Sequence, residues 1–214
     1  MKKWNMKRVF VVAAAICVLG TITAVAAGKA AYTSSGGSHL DDFTYDKLGE
    51  METKLGFATK APETFGNGYR FELGMPTHDE AHDEDGNVIK STESFSLQYK
   101  KGGSPDIFVS VQGSGLYEEE GRPHQTFDHN GITLNYTRDQ YRFVPPDYQV
   151  SEEEKAREAA GELYISYGSD KVEDKAAQSM VWKDGERVYI ITTMDNPITA
   201  EEMAQMAAEL IDNE

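Results

Sequence analysis

The stretch His124-Gln125-Thr126-Phe127-Asp128-His129-Asn130-Gly131-Ile132-Thr133-Leu134-Asn135 decides how the chain is read. An Asn-Gly pair inside an alternating run tolerates left-handed backbone at both central turn positions, which is what a two-residue hairpin needs. Such a turn sets His129 opposite Ile132 and Phe127 opposite Leu134, leaving His124, Thr126, Asp128, Thr133 and Asn135 on the other face. One side is then packed and the other wet, the pattern of an antiparallel sheet covered by helices on a single face.

Working outward, Asp184-Gly185 closes a second hairpin, 177–183 against 186–193, in which Lys183 meets Glu186 and Trp182 meets Arg187. Upstream, Tyr69, Phe71, Leu73 and Met75 alternate, as do Phe95, Leu97 and Tyr99, with Asp85-Gly86-Asn87 between the two runs. A two-residue loop there pairs Leu73 with Gln98 and Met75 with Ser96, apolar against polar. A three-residue loop pairs Leu73 with Tyr99, Met75 with Leu97 and Thr77 with Phe95, and is the register expected if one face alone is buried. Residues 107–112 and 163–167 add strands. Tyr45, Leu48, Met51 and Leu55 recur at helical spacing before Gly56, and Ser151-x-x-Glu154 and Thr199-x-x-Glu202 are capping boxes that open two more helices. The fold class expected is α+β, a curved antiparallel sheet of about six to eight strands with helices packed on one face, preceded by an N-terminal membrane segment.

That segment is a different material from the rest. Lys2, Lys3, Lys7 and Arg8 precede residues 9–27, nineteen residues without a charge. A helix of that length spans the hydrocarbon core with its basic flank on the cytoplasmic side. The same stretch also reads as a secretory signal peptide, with small residues at Ala24 and Ala26. Both readings export the remainder of the chain. The organisation expected is therefore a signal peptide or transmembrane anchor at 1–29, a flexible Ser/Gly linker at 30–42 and an extracytoplasmic α+β domain at 43–214. Cys17, the single cysteine, lies in the apolar run, so the domain has no thiol and no disulfide, and Ile16 before it is too large for a lipid-attachment motif.

The 214-residue chain has 21 Lys+Arg against 36 Asp+Glu, a formal charge of -15. Without the four basic residues of 1–27 the remainder has 17 against 36, or -19. This argues against nucleic acid as a partner, since a phosphate backbone is met by concentrated positive charge. The hydrophobic fraction of 39% is enough for a packed core.

Few residues suggest chemistry. In 78–85, His78, Glu80, His82, Asp83 and Asp85 are candidate ligands for a divalent metal, but the run matches neither a zincin helix nor an EF-hand loop. On a strand His78, Glu80 and His82 share a face with the outer two about 13 Å apart, too far to chelate one ion together. The other reading is a solvated acidic hairpin tip. No nucleophile elbow and no phosphate-binding glycine loop is present, and no cofactor is implied. Tyr136, Tyr141, Trp182 and Tyr189 could form the aromatic rim of a ligand groove, or fill the core of a disulfide-free domain.

The runs Leu55-Gly56-Phe57, Ala61-Pro62-Glu63, Gly68-Tyr69-Arg70-Phe71 and Leu97-Gln98-Tyr99-Lys100-Lys101-Gly102-Gly103 resemble the opening of the extracytoplasmic domain-of-unknown-function family numbered 4367. Asn130-Gly131-Ile132, the run from Val181 through Trp182 and Tyr189 to Ile190, and the terminal helix resemble its closing part. The resemblance implies an extracytoplasmic domain that follows a membrane segment in Gram-positive bacteria, in anti-sigma-factor-like and envelope proteins. It implies no catalytic residues. Only eight residues precede the apolar run, which leaves no room for a sigma-binding domain on this chain. The expected function is a non-enzymatic binding or sensing domain, tethered to or released from the membrane, whose partner is a small ligand or an envelope protein. The alternative is a secreted hydrolase or divalent-metal-binding protein that uses the histidine-bearing hairpin.

Overall fold

The computed structural model describes residues 32–37, 42–83, 85–114 and 124–213. The expected leader at 1–29 lies outside the described residues, and among those described no helix is long and apolar enough to cross a membrane.

The described elements are β1 (Tyr32–Gly37), a single 3-10 turn (Tyr45–Lys47), α1 (Leu48–Leu55), β2 (Arg70–His82), β3 (Val88–Lys100), β4 (Ile107–Gly113), β5 (Gln125–His129), β6 (Ile132–Val144), α2 (Glu152–Ala159), β7 (Tyr164–Tyr167), β8 (Glu173–Asp184), β9 (Arg187–Met194) and α3 (Ala200–Asp212). They form a mostly-sheet α+β fold with a curled, half-barrel sheet. The nine strands run in the order β1-β2-β3-β4-β9-β8-β6-β5, with β7 also on β6. Every pairing is antiparallel except β6 with β7.

Local chemistry explains most element ends. Gly56 closes α1 with φ of 79°, a left-handed cap without a Cβ penalty. Both capping boxes form, the Ser151 and Thr199 side chains accepting from the backbone N–H of Glu154 and Glu202. Asn130 and Gly131 take φ of 54° and 80°, and His129 pairs with Ile132 and Phe127 with Leu134, the register read from the Asn-Gly turn.

Met203, Met206, Ala207 and Leu210 of α3 and Leu48 of α1 pack onto one face of the sheet, against Phe95, Leu97, Tyr99, Val109, Trp182 and Ile191. Each fully buried side chain of this kind stabilises the fold by roughly 1.5–3 kcal/mol. The layer is what holds a chain with no disulfide together.

Three expectations are corrected. Residues 32–37, read as flexible linker, form β1 along the outer edge of β2, with Tyr32 opposite His82 and Gly37 opposite Thr77. Strand addition uses backbone groups alone, so Ser and Gly do not prevent it where an unpaired edge is offered. The hairpin of β8 and β9 turns on Gly185-Glu186, pairing Asp184 with Arg187 and Trp182 with Tyr189. That is two residues from the expected register, which preserves every face but moves Arg187 away from Trp182 and over the Phe57 ring at 3.7 Å.

The third correction is the largest. β2 and β3 pair Leu73 with Gln98 and Met75 with Ser96, the apolar-against-polar register that a single buried face disfavours. A bulge at Glu72 lets Phe71 alone return to the helix-covered side, opposite Tyr99. The β2 positions turned toward the helices are Gly74 and Pro76, and the space above Gly74 is taken by the ring of Phe43, whose Cζ would lie 2.2 Å from a Cβ there. Leu73 and Met75 go to the opposite face. That works because this second face is also buried.

Candidate functional site

The alternation of the central strands puts half of their side chains on the face away from α1 and α3. Two rows cross six strands there. One runs Met75, Ser96, Ser110, Ile190, Val181, Asn135, and the other Leu73, Gln98, Phe108, Thr192, Ser179, Thr137. Neither row contains a charged residue, in a chain of net charge -15. The middle of this face is buried, from 0% exposure at Val188 to 9% at Gln98. Yet the cluster that contains Met203, Met206 and Leu210 includes none of these side chains, and Val181, Val188 and Ile190 form a cluster of their own. Gln112, beside Val188 in the next row, keeps its Nε2 buried with no acceptor. A buried amide donor without a partner costs about 1–3 kcal/mol, a cost that the indole N–H of Trp182 carries in the helix-covered core as well.

The face is not uniform. Toward β5 it becomes the wet side that the Asn-Gly hairpin predicts, with Thr126, Asp128 and Thr133 exposed. At the far end of β6, Tyr141 packs with Ala177 and partly buried Phe143 and Met194, and stacks on Tyr164 at 5.1 Å.

The four aromatic candidates do not form a common rim. Tyr136, Trp182 and Tyr189 belong to the helix-covered core, whereas Tyr141, five residues from Tyr136, lies on the other face. Trp182 and Tyr189 stack at 5.2 Å with 10° between their planes, and burial pushes the Tyr189 hydroxyl up to about 12. Tyr136 donates to Gln178 Oε1 at 2.9 Å, and Gln178 Nε2 donates to the Asn196 carbonyl at 2.6 Å. Asn196 Nδ2 reaches Tyr69 Oη at 2.8 Å and Thr193 Oγ1 at 3.0 Å. This chain of buried polar groups fastens the end of β9 to the loop before β4 and needs no ligand to be satisfied.

The metal candidates are engaged with one another. Glu93 faces His78 Nδ1 at 2.7 Å, and Glu80 lies 3.4 Å from His78 Nε2 and 3.4 Å from His82 Nε2, between the two imidazoles. The hydrogen bond to Glu93, followed by the charges of Glu93 and Glu80, raises the His78 pKa. Asp83 serves the turn: the Asn87 side-chain amide donates to its Oδ2 at 3.0 Å, and the backbone N–H groups of Asn87 at 2.8 Å and Asp85 at 3.0 Å donate to its Oδ1, contacts that lower its pKa, the side-chain amide most of all. Among the described residues no three His, Asp or Glu side chains converge on a point where an ion could sit.

Two other polar features remain. Arg142 is gripped by Asp174 and Glu154, and a depression of about 500 Å3 lies where Pro62 meets Glu209, Asp212 and Asn213 of the C-terminal helix and its end. The first ties α2 to the sheet. In the second, the two carboxylates are already engaged, Asp212 with His129 Nε2 at 2.9 Å and Glu209 with the Gly66 N–H at 2.8 Å. Sequence reasoning missed the two uncharged rows, although the signal was there: Ser94, Ser96 and Gln98 interleave with Phe95, Leu97 and Tyr99, and small polar residues in a strand suit burial as well as exposure. Comparison of the chain with protein-family models, with curated proteins and with solved structures finds no match in any of the three.

Proposed function

We propose that this chain is a non-enzymatic, extracytoplasmic binding or sensing domain, and that the second sheet face is its binding surface. The observation that carries the reading is the pair of uncharged rows led by Met75 and Leu73, buried in their middle and half-buried at Leu73, Asn135 and Thr137, on a face whose side chains are not part of the helix-bearing core cluster. An antiparallel sheet in a free-standing domain ordinarily leaves such a face wet and polar. A broad uncharged face that mixes Met75, Phe108, Val181 and Ile190 with serine, threonine and glutamine side chains offers both apolar contact and hydrogen bonding to a partner, which supports the reading as an association surface. The basic flank and apolar run of 1–27 support export, with the domain anchored by residues 9–27 or released by cleavage. The resemblance to the extracytoplasmic family numbered 4367 supports the same location, and on this reading the chain contributes to envelope signalling or maintenance by binding.

The test places a photo-crosslinking residue at Lys183, an exposed position at the margin of the second face, and another at Lys54 on α1, in the full chain in intact cells. Adducts at position 183 and not at 54 are expected, formed on the outer side of the membrane. Adducts at neither position, or a domain that external protease cannot reach, would overturn the reading.

A further inference from the structure

At the far end of β6 three aromatic rings stand in a ladder. Tyr141 stacks on Tyr164 at 5.1 Å with 21° between the planes, and on Phe143 at 6.3 Å with 25°. The pairings explain it: Tyr141 and Phe143 are two apart on β6 and share a face, and Tyr164 of β7 lies opposite Tyr141. One end of the ladder meets a cation of the chain itself, Lys175, whose Nζ lies 5.5 Å from the centre of the Phe143 ring and 3.6 Å from Glu173 Oε2. The other end is Tyr164, on a strand that pairs with β6 alone among the described residues. One face of its ring rests on Tyr141, and the residue is 39% exposed.

Asp139 precedes Tyr141 by two residues, so its side chain leaves β6 on the same face, about 7 Å along the strand. β5 pairs with β6 as far as Tyr136 and β7 only from Tyr141, so no described strand lies beside Asp139 on that edge. Burial raises the pKa of the Asp139 carboxyl. Burial, followed by the charge of Asp139, raises that of the Tyr164 hydroxyl, so the two groups lie within each other's field. The ion pairs of the described residues leave Asp139 without a lysine or arginine. Lys175, opposite Tyr141, is turned toward Phe143 and Glu173, and Arg138 leaves the strand on the other face. His124 opposes the rise at Asp139 when protonated, but its Nδ1 accepts from the Arg138 N–H at 2.9 Å, a role open only to an unprotonated nitrogen. A half-buried carboxylate is costly without a positive partner, and this one stands beside an open ring face.

We propose that Asp139 and the outer face of Tyr164 form a binding site for a primary alkylammonium group. The N–H donors of such a group fit the carboxylate, and its methylenes lie on the ring, where the positive charge is attracted to the π face. A quaternary ammonium would stack on the ring but leave the carboxylate without a donor. A divalent metal would find one carboxylate where it needs several oxygen ligands. The charge of -15 on the chain raises the local concentration of cations. The site stands beyond the two uncharged rows, and the inference does not rest on them.

The test follows the Asp139 and Tyr164 amide resonances of the full chain in a non-ionic detergent at neutral pH as n-butylammonium chloride is added, with sodium chloride at equal ionic strength as the reference. A saturable, one-to-one shift is expected with the amine and not with sodium. Asp139→Asn should weaken binding by about tenfold or more. Tyr164→Leu should weaken it too, and reads the same loss if Asp139→Asn disturbs the fold. Tyr167→Ala, on the same strand but the opposite face, should leave binding unchanged. A capped lysine, N-acetyl-lysine methylamide, tells the sources apart: tighter binding than n-butylammonium indicates a lysine side chain, and weaker binding a free amine. No saturable shift, a shift that survives both Asp139→Asn and Tyr164→Leu, or equal binding of tetramethylammonium would overturn the proposal.

Discussion

Arg142 holds Asp174 in a two-pronged grip, with Nε 2.6 Å from Oδ1 and Nη2 2.7 Å from Oδ2, while its Nη1 lies 2.7 Å from Glu154 Oε1. Glu154 is also the partner of the Tyr148 hydroxyl at 2.6 Å and of the Ser151 N–H and hydroxyl at 2.7 Å each. These donors, Tyr148 first, hold its carboxyl at about 2, down from 4.5. A depressed carboxylate stabilises the fold fully above 4.5, and that contribution is lost as the pH falls toward 2. Arg142→Ala should lower Tm at neutral pH by about 4 °C, and Glu154→Gln should flatten the acid limb between those values. Thermal melts across pH 2–7 check both, and an acid limb unchanged in Glu154→Gln would remove the network from the account.

His78 titrates with the opposite sign. Its raised pKa means that the pairing with Glu93 stabilises the hairpin below the ordinary 6.5 and ceases to do so as the pH rises through the folded value. Glu93→Gln should bring the His78 titration, followed by NMR, back down toward 6.5. Addition of Zn²⁺ should leave the His78 and His82 resonances unchanged, since Glu80 separates the two imidazoles. A saturable, one-to-one shift of both would restore a metal site to the hairpin.

Gly74 is required by Phe43 rather than by backbone conformation. A methyl group at position 74 would lie 2.2 Å from Phe43 Cζ, while both residues exchange backbone hydrogen bonds of 2.9 Å. Gly74→Ala should cost about 1–3 kcal/mol, and Phe43→Leu in the same chain should recover part of that loss. Denaturant unfolding of the two variants and their combination reads the coupling directly.

Trp182 is core. Trp182→Ala should destabilise by about 3–5 kcal/mol, whereas Tyr164→Ala, at a residue 39% exposed, should cost far less. A well-folded Trp182→Ala chain with unaltered melting would return Trp182 to the surface rim.

Much of the fold was legible because its signals are local. The Asn130-Gly131 turn, the two capping boxes and the Gly56 stop each act within a few residues, and all four form as read. The register of β2 on β3 was not legible, because it depends on which face is buried, and that is a property of the assembled sheet. The edge hairpin of β5 and β6 has one wet face. Extending that rule to the centre misplaces Leu73 and Met75, whose side chains share a face with Ile190 and Thr192. The aromatic residues were recognisable as important but not as core, since a Tyr or Trp in an alternating strand reads the same on either face. The edge strand 32–37 was hidden because Ser and Gly carry no periodic signal, and its pairing is made by backbone alone.

The central claim is that the second sheet face is a binding surface. The most direct test is photo-crosslinking in intact cells from position 183, at the margin of that face, compared with position 54 on α1. Adducts at position 183 and not at 54 are the predicted result. Adducts at neither position, or equally at both, would contradict the account.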